Sequence, residues 1–334
     1  MLEMNFKTPL RVAITGAAGQ INYSLIFRIL TGEMFGKDQS LIINLIDLPS
    51  ALNSLKGLLM EIEDCAFPLL KEINITSDLK IGFKDVNWAL LIGSFPRSIN
   101  MQRKDLLHIN AQIFAKQGFF LEKVASSNVK ILVVGNPCNT NCYVAMKNAP
   151  SIPKNRWFAM TRLDENRAKF QLYKKSLSSS IDDINNVTIW GNHSNKQYPD
   201  FYNANIKNIP VTDVIKDHKW LHNDFINIVQ NRGLSILEQR GKSSAASAAN
   251  AIIDTIHSLT IKHKYNNWNS VGLYSDGSYD IESGFIVSMP FQYDGYNYNI
   301  VPNIKINQFS KEKITNSINE IKEEASLVKD LFYK

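Results

Sequence analysis

LRVAITGAAGQINYS, residues Leu10 to Ser24, is the stretch that decides the fold. Its first six residues are mostly apolar and predict a short buried strand, and helical spacing of apolar residues continues through Leu30. Between the two elements lies a turn with glycines at Gly16 and Gly19. Such a turn brings backbone N–H groups and the positive end of a helix to a phosphate. The stretch predicts the first βα unit of a nucleotide-binding sheet, although glycine-rich turns also follow strands in proteins that bind no nucleotide.

Asp47 is the second sign of a nucleotide. It ends the apolar run LIINLI, and an acidic residue at the end of the second strand is where a ribose diol is held. A carboxylate there repels a 2′-phosphate and so favours NAD over NADP. An ordinary solvated residue at a strand end is the alternative interpretation of Asp47. The third glycine position of the turn holds Asn22, which should disturb helix–strand packing rather than phosphate contact.

The fold class follows from the alternation of strand and helix patterns in the first half. Strands are predicted at 10–15, 41–46, 73–76, 88–92 and 129–134, and helices up to 30, over 54–64 and over 104–125. Near-continuous apolar strands separated by helices are typical of a parallel sheet covered on both faces. We therefore expect an α/β protein with a Rossmann-type doubly wound parallel sheet.

The second half has a different pattern. Two prolines in NAPSIPKNR (148–156) mark the boundary, so residues 1–155 are predicted as an NAD-binding Rossmann domain and 156–334 as an α+β substrate and catalytic domain. Helices are expected at 163–176, 224–240, 243–260 and from about 310, and short strands at 187–190, 284–289 and 297–301.

Composition excludes several classes of protein. With 334 residues, 44% hydrophobic and 20% charged, the chain is typical of globular proteins. The net charge of +6 comes from scattered residues, which does not favour nucleic-acid binding. Three cysteines without a CxxC motif indicate a reducing, cytoplasmic compartment and no metal site. No apolar run reaches the roughly 18 residues of a membrane helix.

Three stretches carry residues suited to catalysis. TRLDENRA places Asp164 and Arg167 on one helical face, and WGNHSNK places His193 in a polar turn. A carboxylate that orients a histidine makes a general base near neutral pH. GSFPRSINMQRKD holds Arg97 and Arg103 six residues apart. Taken singly, a histidine in a turn is usually structural and a surface arginine pair is usually solvated.

Over almost its full length the chain resembles the NAD-dependent malate dehydrogenases of the cytosolic-type group within the lactate/malate dehydrogenase superfamily. The matching segments occur in the right order: RVAITGAAGQI, GKDQ, MEIEDCAFPLL, MQRKDLL, VVGNPCNTN, AMTRLDENRAK, NNVTIWGNH, QYPDF, SSAASAANA and SDGSY.

The resemblance implies a role for each matching position. The catalytic pair would be His193 and Asp164. The substrate-binding residues would be Arg97, Arg103, Asn136 and Arg167. The cofactor-binding residues would be Gly16, Ala17, Gly19, Gln20, Ile21, Asp47, Asn110, Gln117, Val134 and Asn136. The peptide before Pro137 matches a cis-proline of the family. The resemblance also implies NAD as cofactor, a role in the tricarboxylic acid cycle and a homodimer.

In this interpretation Arg167 grips the C1 carboxylate of malate or oxaloacetate, Arg97 pairs with the C4 carboxylate and Arg103 polarises the C2 oxygen. Leaving a buried charge without its partner costs about 2–5 kcal/mol, so pyruvate should be disfavoured. The rivals are a lactate-type dehydrogenase of another 2-hydroxy acid, a catalytically silent relative and a basic protein with nucleic-acid affinity.

Four positions depart from the family pattern. They are Asn22, Asn100 in place of the loop glycine, Cys138 in place of alanine and Glu165 in place of histidine. We expect Cys138 to make activity sensitive to oxidation and Glu165 to face away from the site. None of the four removes a catalytic group.

Overall fold

A central sheet organises the chain in a computed structural model, which describes residues 6–95, 103–263 and 267–332, with only the backbone at 103. The strands of the described chain are β1 (Lys7–Thr15), β2 (Gln39–Ile46), β3 (Leu70–Thr76), β4 (Trp88–Leu91), β5 (Lys130–Val133), β6 (Trp157–Ala159), β7 (Ile184–Asn185), β8 (Thr188–Trp190), β9 (Tyr198–Asp200), β10 (Asn205–Ile206), β11 (Ile209–Pro210), β12 (Asn269–Tyr274), β13 (Ile286–Tyr293) and β14 (Tyr298–Ile300). Nine of them form one sheet in the order β14-β13-β12-β6-β5-β4-β1-β2-β3.

Six strands of this sheet, β3-β2-β1-β4-β5-β6, are parallel. This order, reversing between β1 and β4, is that of a doubly wound dinucleotide-binding sheet, which confirms the predicted fold class. The antiparallel strands β12, β13 and β14 extend the same sheet beyond β6. The sheet therefore continues across position 155, and the domain boundary there stays a prediction.

The helices are α1 (Gln20–Leu30), α2 (Leu52–Asp64), α3 (Leu79–Gly82), α4 (Arg103–Val124), α5 (Cys138–Lys147), α6 (Arg162–Ser176), α7 (Val211–Val214), α8 (His218–Trp220), α9 (Ile226–Arg240), α10 (Ala246–Thr260) and α11 (Gln308–Ser326). A π-helical turn, Leu221–Phe225, leads into α9. No described helix is both long and apolar enough to cross a membrane.

Two hydrophobic cores lie on opposite faces of the sheet because successive strand residues point to opposite sides. In β1, Val12 and Ile14 belong to one core and Ala13 to the other. In β4, Leu90 and Leu91 divide in the same way. Burial on both faces explains why these strands read as continuous apolar runs.

Two elements of the site region had no clear sequence signal. The helix α5 is buried over nearly its whole length, so it has no polar face to give a helical period. The strand β12 is short and contains Gly272, whose added Cβ would lie 2.7 Å from the Ala159 Cβ of β6. Gly272 is required by the close approach of β12 to β6. A glycine inside a strand weakens the strand signal in the sequence.

Candidate active site

The glycine turn after β1 is built on a close approach of two backbones. Gly16 has φ +64°, and a Cβ there would lie 2.4 Å from the Cα of Gly93, which follows β4. The amide of Gly93 donates to the carbonyl of Thr15 at 3.2 Å. Only glycine meets both the backbone angle and the space, so the turn is pinned where β1 and β4 diverge.

The first turn of α1 leaves backbone N–H groups available to an anion. Gly19 is the N-cap and has no side chain to accept from them, and no acidic residue lies in the first turn. The amides of Gln20 and Ile21 therefore have no partner within the helix. Ala17 lies buried beneath them. This arrangement fits the pyrophosphate of a dinucleotide.

Asp47 lies at the rim of the same turn. Its Oδ2 accepts from the amide of Ala18 at 2.9 Å and its Oδ1 from the amide of Leu48 at 2.7 Å. Each carboxylate oxygen keeps a free lone pair, because such an oxygen accepts two hydrogen bonds. The half-buried carboxylate can thus accept from a ribose diol while it holds the turn.

Asn22 does more than fill the third glycine position. It is fully buried, and its Nδ2 donates to the carbonyl of Thr15 at 3.1 Å and to that of Gly16 at 2.6 Å. Its Oδ1 has no hydrogen-bond partner within the described chain. The asparagine braces the turn, so the expected disturbance of packing reduces to one unsatisfied buried oxygen.

Three further residues expected at the cofactor lie on α4 and after β5. Asn110 is buried and brackets Phe95, accepting from its amide at 2.7 Å and donating to its carbonyl at 3.3 Å. Gln117, two turns further along α4, is buried as well. The amide of Val134 is bonded to the carbonyl of Leu91 at 2.9 Å. Their contact with a cofactor stays a prediction.

Asn136 is exposed after β5, and the Asn136–Pro137 peptide is cis, as the resemblance implies. Arg97 and Asn100 lie outside the described residues. The helix α4 begins at Arg103, of which only the backbone is described. The predicted arginine contacts with substrate therefore stay predictions.

His193, Asp164 and Arg167 come together although the histidine lies 29 residues beyond the aspartate. The Nδ1 of His193 is hydrogen-bonded to Oδ2 of Asp164. The other carboxylate oxygen, Oδ1, accepts from Nη1 of Arg167 at 2.9 Å. Asp164 is fully buried, whereas the His193 side chain keeps 17% of its surface exposed. Because Nδ1 is bonded to Asp164, Nε2 is the ring nitrogen that can exchange a proton with a bound molecule.

The electrostatics of this group favour a proton-bearing histidine. Burial lowers the pKa of His193, but the adjacent Asp164 carboxylate outweighs burial and leaves the pKa above its ordinary value. Burial raises the pKa of Asp164, but His193 and Arg167 leave it below its ordinary value. A carboxylate that stays ionised beside a histidine holds its tautomer and stabilises the imidazolium.

Two residues outside the predicted set hold this group in place. The Oδ1 of Asn139 accepts from the amide of His193 at 2.9 Å, and its Nδ2 donates to the carbonyl of Ile286 at 3.0 Å. The Nη2 of Arg167 donates to the hydroxyl of Ser244 at 3.2 Å. Asn139 and Ser244 both lie in motifs that carry the family resemblance. Membership in those motifs was the sequence signal that could have identified them.

Two departures from the family pattern have a structural outcome. Cys138 is buried, and burial followed by the charge of Asp164 raises the pKa of its thiol. Buried protonated thiols are poorly reactive, so the burial of Cys138 argues against the expected redox sensitivity, which stays untested. Glu165 turns toward β12 and accepts from the amide of Ser270 at 2.8 Å. Burial opposes its ionisation, but Arg162 and Lys169 lower its pKa to about 2.

Metal-ligand clusters of three or more His, Cys, Asp or Glu side chains do not occur in the part of the chain that the structure describes. The groups that the structure brings together at the site are a proton-transfer pair, an arginine and a nucleotide-type turn. These groups suit an oxidation in which a proton leaves an oxygen atom.

Comparison with known proteins identifies the family models and the solved structures that the chain is similar to. Residues 10–159 match the family model for the lactate/malate dehydrogenase NAD binding domain, and residues 161–331 match the one for the α/β C-terminal domain. A malate dehydrogenase from Naegleria fowleri is 41% identical, with a TM-score of 0.94 over 98% of this chain and 99% of that one. A lactate dehydrogenase from Trichomonas vaginalis in complex with NADH and oxamate is 34% identical, with a TM-score of 0.91 over 96% and 98%. A malate dehydrogenase from Plasmodium falciparum, 20% identical, shares the fold with a TM-score of 0.81 over 97% and 100%.

Proposed function

Because the chain belongs to the lactate/malate dehydrogenase family and is an NAD-dependent oxidoreductase of it, we propose that its substrates are malate and oxaloacetate. The hydrogen-bonded group of His193, Asp164 and Arg167 carries the proposal that the substrate is a 2-hydroxy acid. Two further observations support the dicarboxylate: Arg97 in the sequence, and 41% identity to a malate dehydrogenase over nearly the whole chain.

The turn and α1 fit the cofactor, because Gly16 leaves space for a close backbone approach and α1 offers unpaired amides. The bound cofactor would supply the hydride acceptor for malate oxidation as NAD and the hydride donor for oxaloacetate reduction as NADH. The carboxylate of Asp47, which accepts from the amide of Ala18 in the same turn, would also accept from the ribose hydroxyls.

His193 and Arg167 supply the acid–base step and the orientation. During malate oxidation the Nε2 of His193 takes the proton of the C2 hydroxyl, and the imidazolium is stabilised by Asp164. During reduction the same proton returns to the C2 oxygen. Arg167 uses one N–H on Asp164 and one on Ser244, which leaves three for the C1 carboxylate.

The test is NADH consumption by the purified protein with oxaloacetate and, separately, with pyruvate. We expect kcat/KM to favour oxaloacetate by roughly thirty- to several-thousand-fold, which corresponds to about 2–5 kcal/mol for a charge without its partner. Arg97→Gln should remove most of that preference, and Arg97→Lys should keep part of it. A wild-type preference for pyruvate would overturn the malate assignment.

A lactate-type substrate is the second candidate, because a lactate dehydrogenase from Trichomonas vaginalis is 34% identical over a similar span. The two candidates share His193, Asp164 and Arg167, so only the pocket for the second carboxylate separates them. The same pair of assays decides between them.

We further propose that the enzyme is a cytoplasmic homodimer that acts in the tricarboxylic acid cycle. The free cysteines Cys65, Cys138 and Cys142 support a reducing compartment. Large apolar side chains are exposed on the helices α2, α1, α6 and α9, of which α1 and α6 both pack on α10 and α6 also packs on α9. We call these side chains the apolar row: Met60, Tyr23, Phe170, Leu234 and Leu237. Exposed apolar patches of this kind mark protein–protein contacts. Light scattering should give a mass near twice the 37.9 kDa of one chain, and a mass near 37.9 kDa would overturn the dimer.

A further inference from the structure

The last helix, α11, is hydrogen-bonded to the turn that carries His193. The Oγ of Ser317 accepts from the backbone amide of Asn192 at 2.8 Å. Oε2 of Glu320 accepts from the side-chain amide of Asn192 at 2.9 Å and from the hydroxyl of Ser194. Ser317 and Glu320 are three residues apart, on one face of the helix, and both are buried. The two residues that flank His193 are thus bonded to one oxygen of one carboxylate.

The helix α11 packs so closely against this turn that a side chain at Gly191 would not fit. Gly191 has φ +89°, and a Cβ there would lie 2.1 Å from the Oγ of Ser317. On the other side of the turn, Asn139 accepts from the amide of His193. Thr140, the next residue, donates to Oε2 of Glu324 at 2.5 Å. The same face of α11 therefore bonds the His193 turn through Ser317 and Glu320, and it bonds α5 separately through Glu324.

We propose that Glu320 is a positioning residue for His193, fixing the imidazole against Asp164 through the side chains of Asn192 and Ser194. The proposal rests on the proposed function, in which His193 transfers the proton. A carboxylate only accepts hydrogen bonds, so it dictates the orientation of the Asn192 amide and the Ser194 hydroxyl. Charge-assisted bonds are stronger than neutral ones, and a misplacement of about 1 Å can cost about 100-fold in rate.

Loss of Glu320 should appear in the titration of His193. Asp164 faces its Nδ1, Arg167 lies behind that carboxylate, and Glu320 acts through the flanking residues. When the turn loosens, the His193–Asp164 pair weakens while the histidine stays partly buried. The pKa of His193 should then fall toward or below its ordinary value.

The experiment compares Glu320→Ala with Glu324→Ala, since Glu324 is a similarly buried glutamate one turn further on that bonds Thr140 instead of the His193 turn. The pKa of His193 is read from imidazole carbon–proton NMR, with His193→Asn identifying its signal among six histidines. We expect Glu320→Ala to lower this pKa by roughly one unit and kcat by about 10- to 100-fold. KM for NADH should not change, and Glu320→Gln should restore part of the loss.

Glu324→Ala should lower thermal stability comparably and leave the His193 titration as in the wild type. A Glu320→Ala protein whose His193 titrates like the wild type would overturn the proposal. If that variant does not fold, Ser194→Ala removes one of the two donors and is measured in the same way, with the same result expected. Because the NMR titration needs no turnover, a wild type inactive toward both keto acids would overturn the proposed function and leave this measurement decisive for Glu320.

Discussion

At the level of single residues, Asp47 combines two tasks that a substitution can separate. Its charge faces the expected ribose, and its Oδ2 holds the amide of Ala18. Asp47→Asn removes the charge and keeps an acceptor for Ala18. We expect the preference for NADH over NADPH to fall about 10- to 100-fold, because a hydrogen bond to a charged group contributes about 1.5–3 kcal/mol.

The measurement is kcat/KM for both cofactors with the better keto acid. Asp38→Asn is the control, since Asp38 pairs with Lys7 on the surface and away from the turn. An unchanged preference in Asp47→Asn would mean that this carboxylate does not select the cofactor.

Asp164 decides whether His193 is a proton donor at neutral pH. In Asp164→Asn the carboxylate that raises the pKa of His193 is gone, while the burial that lowers this pKa remains. Keto-acid reduction requires protonated His193. The alkaline limb of the pH profile of kcat/KM for this reaction should therefore move to lower pH. We also expect turnover to fall about 1,000-fold or more, because the amide no longer holds the productive tautomer.

The pH profile of kcat/KM for keto-acid reduction checks this prediction. NADH binding, followed by fluorescence, should be that of the wild type, which shows that the nucleotide turn is intact. A variant with an unshifted alkaline limb would indicate that another group supplies the proton.

The core of the site could be predicted because its members lie in short contiguous motifs. Asp164 and Arg167 share a helical face, whereas His193 is one of six histidines and was selected by the motif NNVTIWGNH that carries the resemblance. Asn139 was missed because its task depends on partners that are distant in sequence. Asn139 bonds the backbone of His193, 54 residues further on, and that of Ile286, 147 residues further on, and only the folded chain brings these groups together.

At the level of elements, α6 is locked to the sheet by Glu165. This buried carboxylate accepts from Ser270 and Asn269 of β12 and pairs with Lys169 at 2.9 Å. It lies next to Asp164, so the anchor also fixes the position of the carboxylate that is hydrogen-bonded to His193. A buried carboxylate that has all its partners is costly to disturb, because removing one side leaves the others unpaired.

Protonation of Glu165 at acid pH should therefore lower the free energy of unfolding. Its pKa is about 2 when folded against an ordinary 4.5, so the protein gains stability above pH 4.5 that is lost as pH falls toward 2. The difference corresponds to about 3 kcal/mol. We expect Glu165→Gln to lower the free energy of unfolding by about that amount at neutral pH and much less near pH 3.

Urea unfolding at the two pH values measures this effect. Glu63→Gln, at an exposed position of α2, is the matched control and should change stability little at either pH. An equal loss at both pH values would contradict the assigned role of the Glu165 charge.

The parallel half of the fold could be predicted because its strands and helices have clear periods, and boundaries fell within a few residues. The helix expected over 54–64 begins at Leu52, and the strand expected at 73–76 begins at Leu70. The second half was harder, since β7, β9, β10 and β11 contain two or three residues each. Strands that short have no period to read, and tertiary pairing alone defines them.

At the level of the whole molecule, a chain of polar side chains joins α1, which follows the proposed nucleotide turn, to α6, which carries Asp164 and Arg167. Arg28 of α1 donates to Asn250 of α10 at 3.0 Å, and Asn250 donates to Asp254 at 2.9 Å. The same carboxylate oxygen accepts from Asn166 of α6 at 2.7 Å. Asn166 immediately precedes Arg167. The two functional halves are therefore joined by directional bonds as well as by the shared sheet.

The same helices present the apolar row proposed as the dimer interface. Phe170 of α6 is 48% exposed, three residues after Arg167 and six after Asp164. Phe170→Arg would place a charge in an apolar interface, which costs several kcal/mol of association energy. We expect light scattering to show a mass near that of the 37.9 kDa chain in place of its double. Tyr296→Arg is the control, since Tyr296 is 90% exposed between β13 and β14 and away from this row.

If Phe170→Arg stays dimeric, the interface lies elsewhere. If it becomes a monomer with an unchanged circular dichroism spectrum, its kinetics reveal whether the interface supports the site. Because α6 carries Phe170, Arg167 and Asp164 within two turns, releasing its outer face should raise KM for the keto acid more than KM for NADH. The nucleotide turn, built by β1, β4 and α1, keeps its contacts in the monomer.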